Sequence, residues 1–125
     1  MDVDHFKRVN DSHGHETGDK VLQMVASTIL HNLRASDVAS RWGGEEFLTV
    51  VPHIGRNEIG IIGNKIRSLI EQSSLDTPDG PLRVTVSIGA ALARPDDSLE
   101  SLIDRADHLM YQSKRKGRNT LTAED

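Results

Sequence analysis

Cysteine is absent from the 125 residues, which excludes disulfides and thiolate metal sites. Aromatic side chains are scarce: one Trp, one Tyr and two Phe leave a core that must be largely aliphatic. No apolar run reaches the ~20 residues of a membrane span and no signal-peptide pattern opens the chain. A cytoplasmic domain without membrane insertion is therefore expected. Basic excess is also missing. Fifteen Lys and Arg stand against 19 Asp and Glu, a net charge of -4, which argues against a general nucleic-acid-binding surface. There is no Gly-x-x-x-x-Gly-Lys-Ser/Thr run, so a P-loop is excluded. Repeats and low-complexity linkers are absent. This length suits one domain with a real core.

What the chain does have is Arg41-Trp42-Gly43-Gly44-Glu45-Glu46-Phe47, set between two segments that read as strands, Val38–Trp42 and Phe47–Val51. Glycines at a hairpin tip accept positive φ and let a backbone or ligand approach. Two carboxylates held there are oxygen donors suited to hard cations. A second acidic strand end is Asp2-Val3-Asp4. Alternation in a strand puts Asp2 and Asp4 on one face, although Asp4 also suits an N-cap for the short helical pattern of Phe6 and Val9. Carboxylates from neighbouring strand ends make a two-metal site, a usual device for attack at phosphorus.

The remaining pattern is mixed. Val21, Leu22, Val25, Ala26, Ile29, Leu30 and Leu33 predict an amphipathic helix from about Asp19 to Arg34. Ile59, Ile62, Ile66, Leu69 and Ile70 mark a second helix, and Thr77–Pro81 a turn. Leu82 to Ala93 reads as one long strand. Ser98 is a candidate N-cap for a third helix, which Gly117 ends. Asn119–Thr122 reads as a closing edge strand. Trp42 is expected to pack in its strand. His5, His13 and His15 lack the i, i+4 spacing of a helical zinc pair. Together these elements predict one α+β domain, a mainly antiparallel sheet flanked by helices.

Five ordered blocks carry a resemblance: Asp2-Val3-Asp4-His5-Phe6-Lys7-Arg8-Val9-Asn10-Asp11, His13-Gly14-His15-Glu16-Thr17-Gly18-Asp19, Arg34-Ala35-Ser36-Asp37, Gly43-Gly44-Glu45-Glu46-Phe47 and Lys114-Arg115-Lys116-Gly117-Arg118-Asn119. In order and interval they are similar to the GGDEF family of diguanylate cyclases, with Glu an accepted variant at the third motif position. The resemblance implies a nucleotidyl cyclase or polymerase-palm fold with a ferredoxin-like core. It implies condensation of two GTP into cyclic di-GMP and pyrophosphate.

By the same resemblance, Asp2, the Val3 carbonyl, Glu45 and Glu46 would bind Mg²⁺ or Mn²⁺, two per site. Glu46, Glu45 and Lys7 would be catalytic. His5, Phe6, Lys7, Lys114 and Arg118 would surround the phosphates of GTP, Gly43 and Gly44 would also bind GTP, and Asn10 and Asp19 would read guanine. Arg34 and Asp37, with Lys65 assisting, would bind product for feedback inhibition. A homodimer would be needed for catalysis, and an upstream sensor domain would supply the input. A catalytically silent module that binds cyclic di-GMP or GTP is the alternative.

Met1–Asp4 is short for a central strand, which typically runs to about five or six residues. Similar domains carry a preceding helix and most of a strand, with an Asp-x-Leu-Thr-Gly-Leu-x-Asn-Arg-Arg signature. The expectation is an N-terminally truncated single domain over residues 1–125, with a frayed or altered first strand.

Overall fold

In the computed structural model, which describes residues 1–124, the chain runs β1 (Asp2–Val3), α1 (Phe6–His13), α2 (His15–His31), β2 (Val38–Arg41), β3 (Phe47–Val50), α3 (Arg56–Gln72), β4 (Leu75–Thr77), β5 (Gly80–Leu82), β6 (Val86–Ala90), α4 (Leu99–Arg115) and β7 (Leu121–Ala123). β6 lies between β1, to which it is antiparallel, and β7, to which it is parallel. The β2–β3 hairpin continues the sheet beyond β1. Phe47 donates its N–H to Met1 O at 2.8 Å, Val3 donates to Glu45 O at 3.1 Å, and Asp2 faces Glu46 in an antiparallel bridge. The spatial order is thus β2-β3-β1-β6-β7, the mainly antiparallel α+β arrangement expected. β4 and β5 form a separate hairpin.

Alternation along the strands divides the work between two faces. Val3, Val86, Ile88 and Phe47 join Phe6 and Val9 of α1, Val21, Leu22, Val25 and Ile29 of α2, and Ile66 and Ile70 of α3 in one core. Full burial of a side chain such as Ile29 or Ile70 contributes about 1.5–3 kcal/mol. The opposite face carries Asp2, Ser87 and Gly89 and is crossed by α4. At Gly89 a Cβ would overlap the backbone of Ala106 and Met110, so this residue sets how closely α4 approaches. Ser113 of α4 is buried there, and its hydroxyl lies 2.8 Å from both Ile88 O and Thr122 Oγ1.

The ends of α4 are specified locally. Ser98 accepts from Ser101 N while Ser101 Oγ accepts from Ser98 N, a reciprocal capping box. At the other end Gly117 N–H reaches Lys114 O and Arg118 N–H reaches Ser113 O, the Schellman pattern, with Gly117 at φ 109°.

Several elements differ from the sequence expectation. α2 begins four residues before Asp19, because Gly14 at φ 87° separates it from α1, and ends at His31. The long strand over Leu82–Ala93 is two strands, since Leu82 pairs back with Leu75 and β6 starts only at Val86. The Thr77–Pro81 turn is a hairpin in which only Pro78 and Asp79 lie outside the strands. β7 runs to Ala123, beyond the expected Thr122. Trp42 does not pack in β2. It lies one residue past the strand and is 57 % exposed. β1 is short but not frayed, because backbone bonds hold it to both β6 and the hairpin and Val3 is 2 % exposed. Asp4 is not an N-cap. The cap of α1 is His5, left-handed at φ 55°, with no side-chain cap bond.

Candidate active site

The register of the sheet brings the two acidic strand ends side by side. Asp2 is buried beneath α4, and its Oδ2 accepts from Lys114 Nζ at 2.9 Å. Its Oδ1 is buried without a hydrogen-bond partner. Burial alone would push the Lys114 ammonium down, but the hydrogen bond and charge of Asp2, helped by Tyr111 and Asp4, raise it above its ordinary value. Lys114 also lies 5.7 Å from the centroid of the Tyr111 ring.

Glu45 and Glu46 follow the hairpin tip and are half-buried. Arg41 fixes that tip: its Nε and Nη2 donate to Gly44 O at 3.0 and 2.7 Å, and Nε also reaches Gly43 O at 3.2 Å. Among the described residues, no three carboxylate or histidine side chains gather into a metal cage. The donor chemistry nonetheless fits a hard divalent cation. Asp2 offers an unpaired, buried carboxylate oxygen, and the bridge places the Glu46 backbone opposite it.

The N-terminus of α1 opens beside this corner, so the first N–H groups, of Phe6 and Lys7, have no intrahelical acceptor. Phe6 is buried in the core and Lys7 is exposed. Asn10, one turn on, packs its amide under Gly18 of α2. A Cβ at Gly18 would overlap Asn10 Oδ1 and crowd Phe6. Asn10 Oδ1 is the other buried side-chain atom without a partner among the described residues. Asp19 follows Gly18 and stands at the lip of a cleft of about 440 Å³ between α2 and the β2–β3 hairpin, floored by Leu22, Ile29 and Phe47. Asn10 thus fills the seam of α1 and α2, and Asp19 is the residue after the glycine that admits it. Arg118, exposed and at φ 68°, follows α4 near Lys114.

Arg34 and Asp37 meet, but mainly each other. Arg34 N donates to Asp37 Oδ2 at 2.7 Å, and Nη2 reaches Asp37 Oδ1 at 3.4 Å and Pro52 O at 2.8 Å. The Asp37 side chain is 1 % exposed, whereas that of Arg34 is 51 % exposed. Lys65 is exposed on α3, and no hydrogen bond or ion pair among the described residues ties it to Arg34 or Asp37.

Three roles escaped the sequence reading. Arg41 clamps the tip, and its signal was an arginine two residues before the paired glycines. Gly18 makes room for Asn10, and its signal was a glycine inside a helical pattern, a choice that costs about 1 kcal/mol relative to Ala. Asp4 accepts from Thr85 Oγ1 at 2.7 Å, Ser87 Oγ at 2.6 Å and Asn119 N at 3.0 Å.

The family model described as "Diguanylate cyclase, GGDEF domain" matches residues 1–120. Diguanylate cyclase DosC of Escherichia coli (strain K12) is 40% identical over 120 residues, covering 95% of this chain and 26% of that protein. Response regulator PleD of Caulobacter vibrioides (strain NA1000 / CB15N) is 40% identical over 124 residues, covering 97% of this chain and 27% of that protein. The chain thus spans about a quarter of the length of these relatives. The GGDEF domain of DgcB from Caulobacter crescentus, solved in complex with c-di-GMP, superposes with a TM-score of 0.93 at 38% identity, covering 98% of this chain and 73% of that one. Diguanylate cyclase SiaD of Pseudomonas aeruginosa, solved with its activator SiaC, gives a TM-score of 0.94 at 34% identity, covering 98% of this chain and 47% of that one. No helix among the described residues is long and apolar enough to cross a membrane.

Proposed function

The chain belongs to the GGDEF diguanylate cyclase family, and from that premise we propose that it condenses two GTP molecules into cyclic di-GMP with release of two pyrophosphates. The observation that carries this reading is the pair of unsatisfied buried atoms, Asp2 Oδ1 and Asn10 Oδ1. Leaving such a group unpaired costs about 1–3 kcal/mol. On this reading the first would meet a metal ion and the second would help to read the base.

Asp2, the Val3 carbonyl, Glu45 and Glu46 would hold Mg²⁺ or Mn²⁺, two per site, which when bound stabilise charge on the attacking and leaving oxygens. The α1 N-terminus, entered through His5, Phe6 and Lys7, accepts phosphate oxygens on its free N–H groups. Lys7 adds charge, while Gly43 and Gly44 let the nucleotide approach the backbone. Lys114 and Arg118 neutralise the terminal phosphates, Lys114 exchanging one anionic partner, Asp2, for another. Asp19 accepts from N1 and the exocyclic amine of guanine, a pattern adenine lacks, and the Asn10 amide pairs beside it.

As the 3′-oxygen bonds to the α-phosphorus, its proton passes toward Glu46 and the bond to pyrophosphate breaks. Repeating the step in the opposite sense closes the ring. Each domain supplies one GTP, so a homodimer with facing sites is required and product formation is second order in protein. An upstream sensor domain would control that encounter.

Cyclic di-GMP would also bind at Arg34 and Asp37, with Lys65 adding charge. The half-exposed Arg34 side chain would exchange its bonds to Asp37 and Pro52 for a guanine or phosphate. Calorimetry with cyclic di-GMP should show markedly weaker binding to Arg34→Ala, and unchanged affinity would move the product elsewhere.

The test of the activity is chromatography of product from GTP and Mg²⁺ or Mn²⁺. Wild type should form cyclic di-GMP, and Glu46→Ala should lose at least about 100-fold in rate with an unchanged melting temperature. Undiminished product from that variant would refute the assignment, whereas nucleotide binding without product in wild type would favour a silent receptor.

A further inference from the structure

We infer that Asp4 is a positioning residue for the triphosphate. Its buried carboxylate ties the end of β1 to the left-handed turn that carries Arg118. This deepens the GTP reading above and rests on it.

Asp4 is 4 % exposed, and its two oxygens already accept three hydrogen bonds. Oδ1 takes Ser87 Oγ, and Oδ2 takes Thr85 Oγ1 and the backbone N–H of Asn119. A carboxylate so engaged is not a further metal ligand beside Asp2. Its partners show what it does instead. Ser87 belongs to β6, Thr85 immediately precedes it, and the third belongs to the segment between α4 and β7, 115 residues away in sequence.

That segment is unusual. Gly117, Arg118 and Asn119 all have positive φ, at 109°, 68° and 48°. Glycine accepts this region freely, but consecutive Arg and Asn there persist only where the surroundings over-determine them. The surroundings do. Asn119 is held at its backbone by Asp4 and at its side chain by Arg67 and Glu71 of α3. Arg118, one residue earlier, is exposed and makes no side-chain hydrogen bond or ion pair among the described residues. Its anchor is therefore its own backbone and that of Asn119. Asp4 thus sets the base from which Arg118 reaches a phosphate, and fixes the end of α4 that bears Lys114.

The test is calorimetry of a non-hydrolysable GTP analogue and of GMP, each with Mg²⁺, together with amide hydrogen exchange, on wild type, Asp4→Ala, Asp4→Asn and Thr85→Val. Asp4→Ala should weaken the GTP analogue by roughly tenfold or more. GMP, which lacks the terminal phosphates, should bind as before, and exchange at Asn119 should quicken. Asp4→Asn keeps an oxygen for Asn119, so it should shift both readouts the same way but less. Thr85→Val leaves the Asp4–Asn119 bond in place and should behave as wild type.

Should Asp4→Ala fail to fold, the direction of the Asp4→Asn shift decides. An unchanged ratio of GTP-analogue to GMP affinity in every folded Asp4 variant would overturn the inference. A wild-type chain that binds neither nucleotide would instead defeat the functional reading itself.

Discussion

At the N-terminal end of α4, Arg105 donates to Asp97, to Glu124 Oε2 at 3.2 Å and to Leu92 O at 2.6 Å, while Arg94 adds a second bond to Glu124 at 2.8 Å. At the C-terminal end, Lys114 meets Asp2 at 2.9 Å, and the other oxygen of Asp2 has no partner. Both ends gather charge from distant parts of the chain. The first is closed: Asp97 also accepts from Ser101 Oγ and Arg94 N and Glu124 from Leu92 N, so every carboxylate oxygen there is engaged. The second is left incomplete at a cost that only a further partner would relieve. Charge alone does not mark a site. The marker is an unmet bonding capacity inside a rigid frame.

Changes at the incomplete end should cost function before stability. Lys114→Met should lower cyclase turnover most, by about 100-fold in steady-state assays, and should lower stability only by what the unpaired Asp2 carboxylate costs, about 1–3 kcal/mol. A large loss of stability with activity retained would put Lys114 in the class of Arg105.

A smaller effect is expected at the seam of α1 and α2. Gly18→Ala improves helix propensity but drives a methyl into Asn10. The expected result is a loss of about 1–3 kcal/mol in GTP binding and reduced preference for GTP over ATP. Selectivity equal to wild type would show that Asn10 does not read the base.

The smallest effect should come from the closed end. Hydrogen bonds from Arg105, Ser101 and the Arg94 backbone hold the Asp97 carboxyl well below the usual aspartate range. A depressed folded-state value stabilises the protein above the ordinary aspartate pKa, and this contribution fades as pH falls below about 4. Asp97→Asn should therefore be less stable at neutral pH and show a shallower acid limb in thermal melts. Parallel acid limbs would mean that Asp97 adds nothing pH-dependent.

How much of this was legible depends on the range of the interaction concerned. Ser98 and Gly117 announced the limits of α4 because caps and Schellman turns are local. The alternation of Asp2-Val3-Asp4 correctly put both carboxylates on one face. The boundary of α2 was misread because a glycine at φ 87° separates two helices that periodicity alone would space further apart. Trp42 was misread because aromatic character suggests burial, whereas its strand stops one residue before it. The task of Asp4 was out of reach, since its partners lie 81, 83 and 115 residues away. Only the folded register brings them together.

The central claim is that the unsatisfied end of α4 and its neighbouring strand ends form the ligand site. The most direct measurement is an amide chemical-shift map of the chain titrated with Mg²⁺ and a non-hydrolysable GTP analogue. The account predicts shifts concentrated at residues 2–10, 18–19, 43–46 and 114–119, with residues 92–105 unmoved. Shifts centred on residues 92–105, or none at saturating nucleotide, would contradict it.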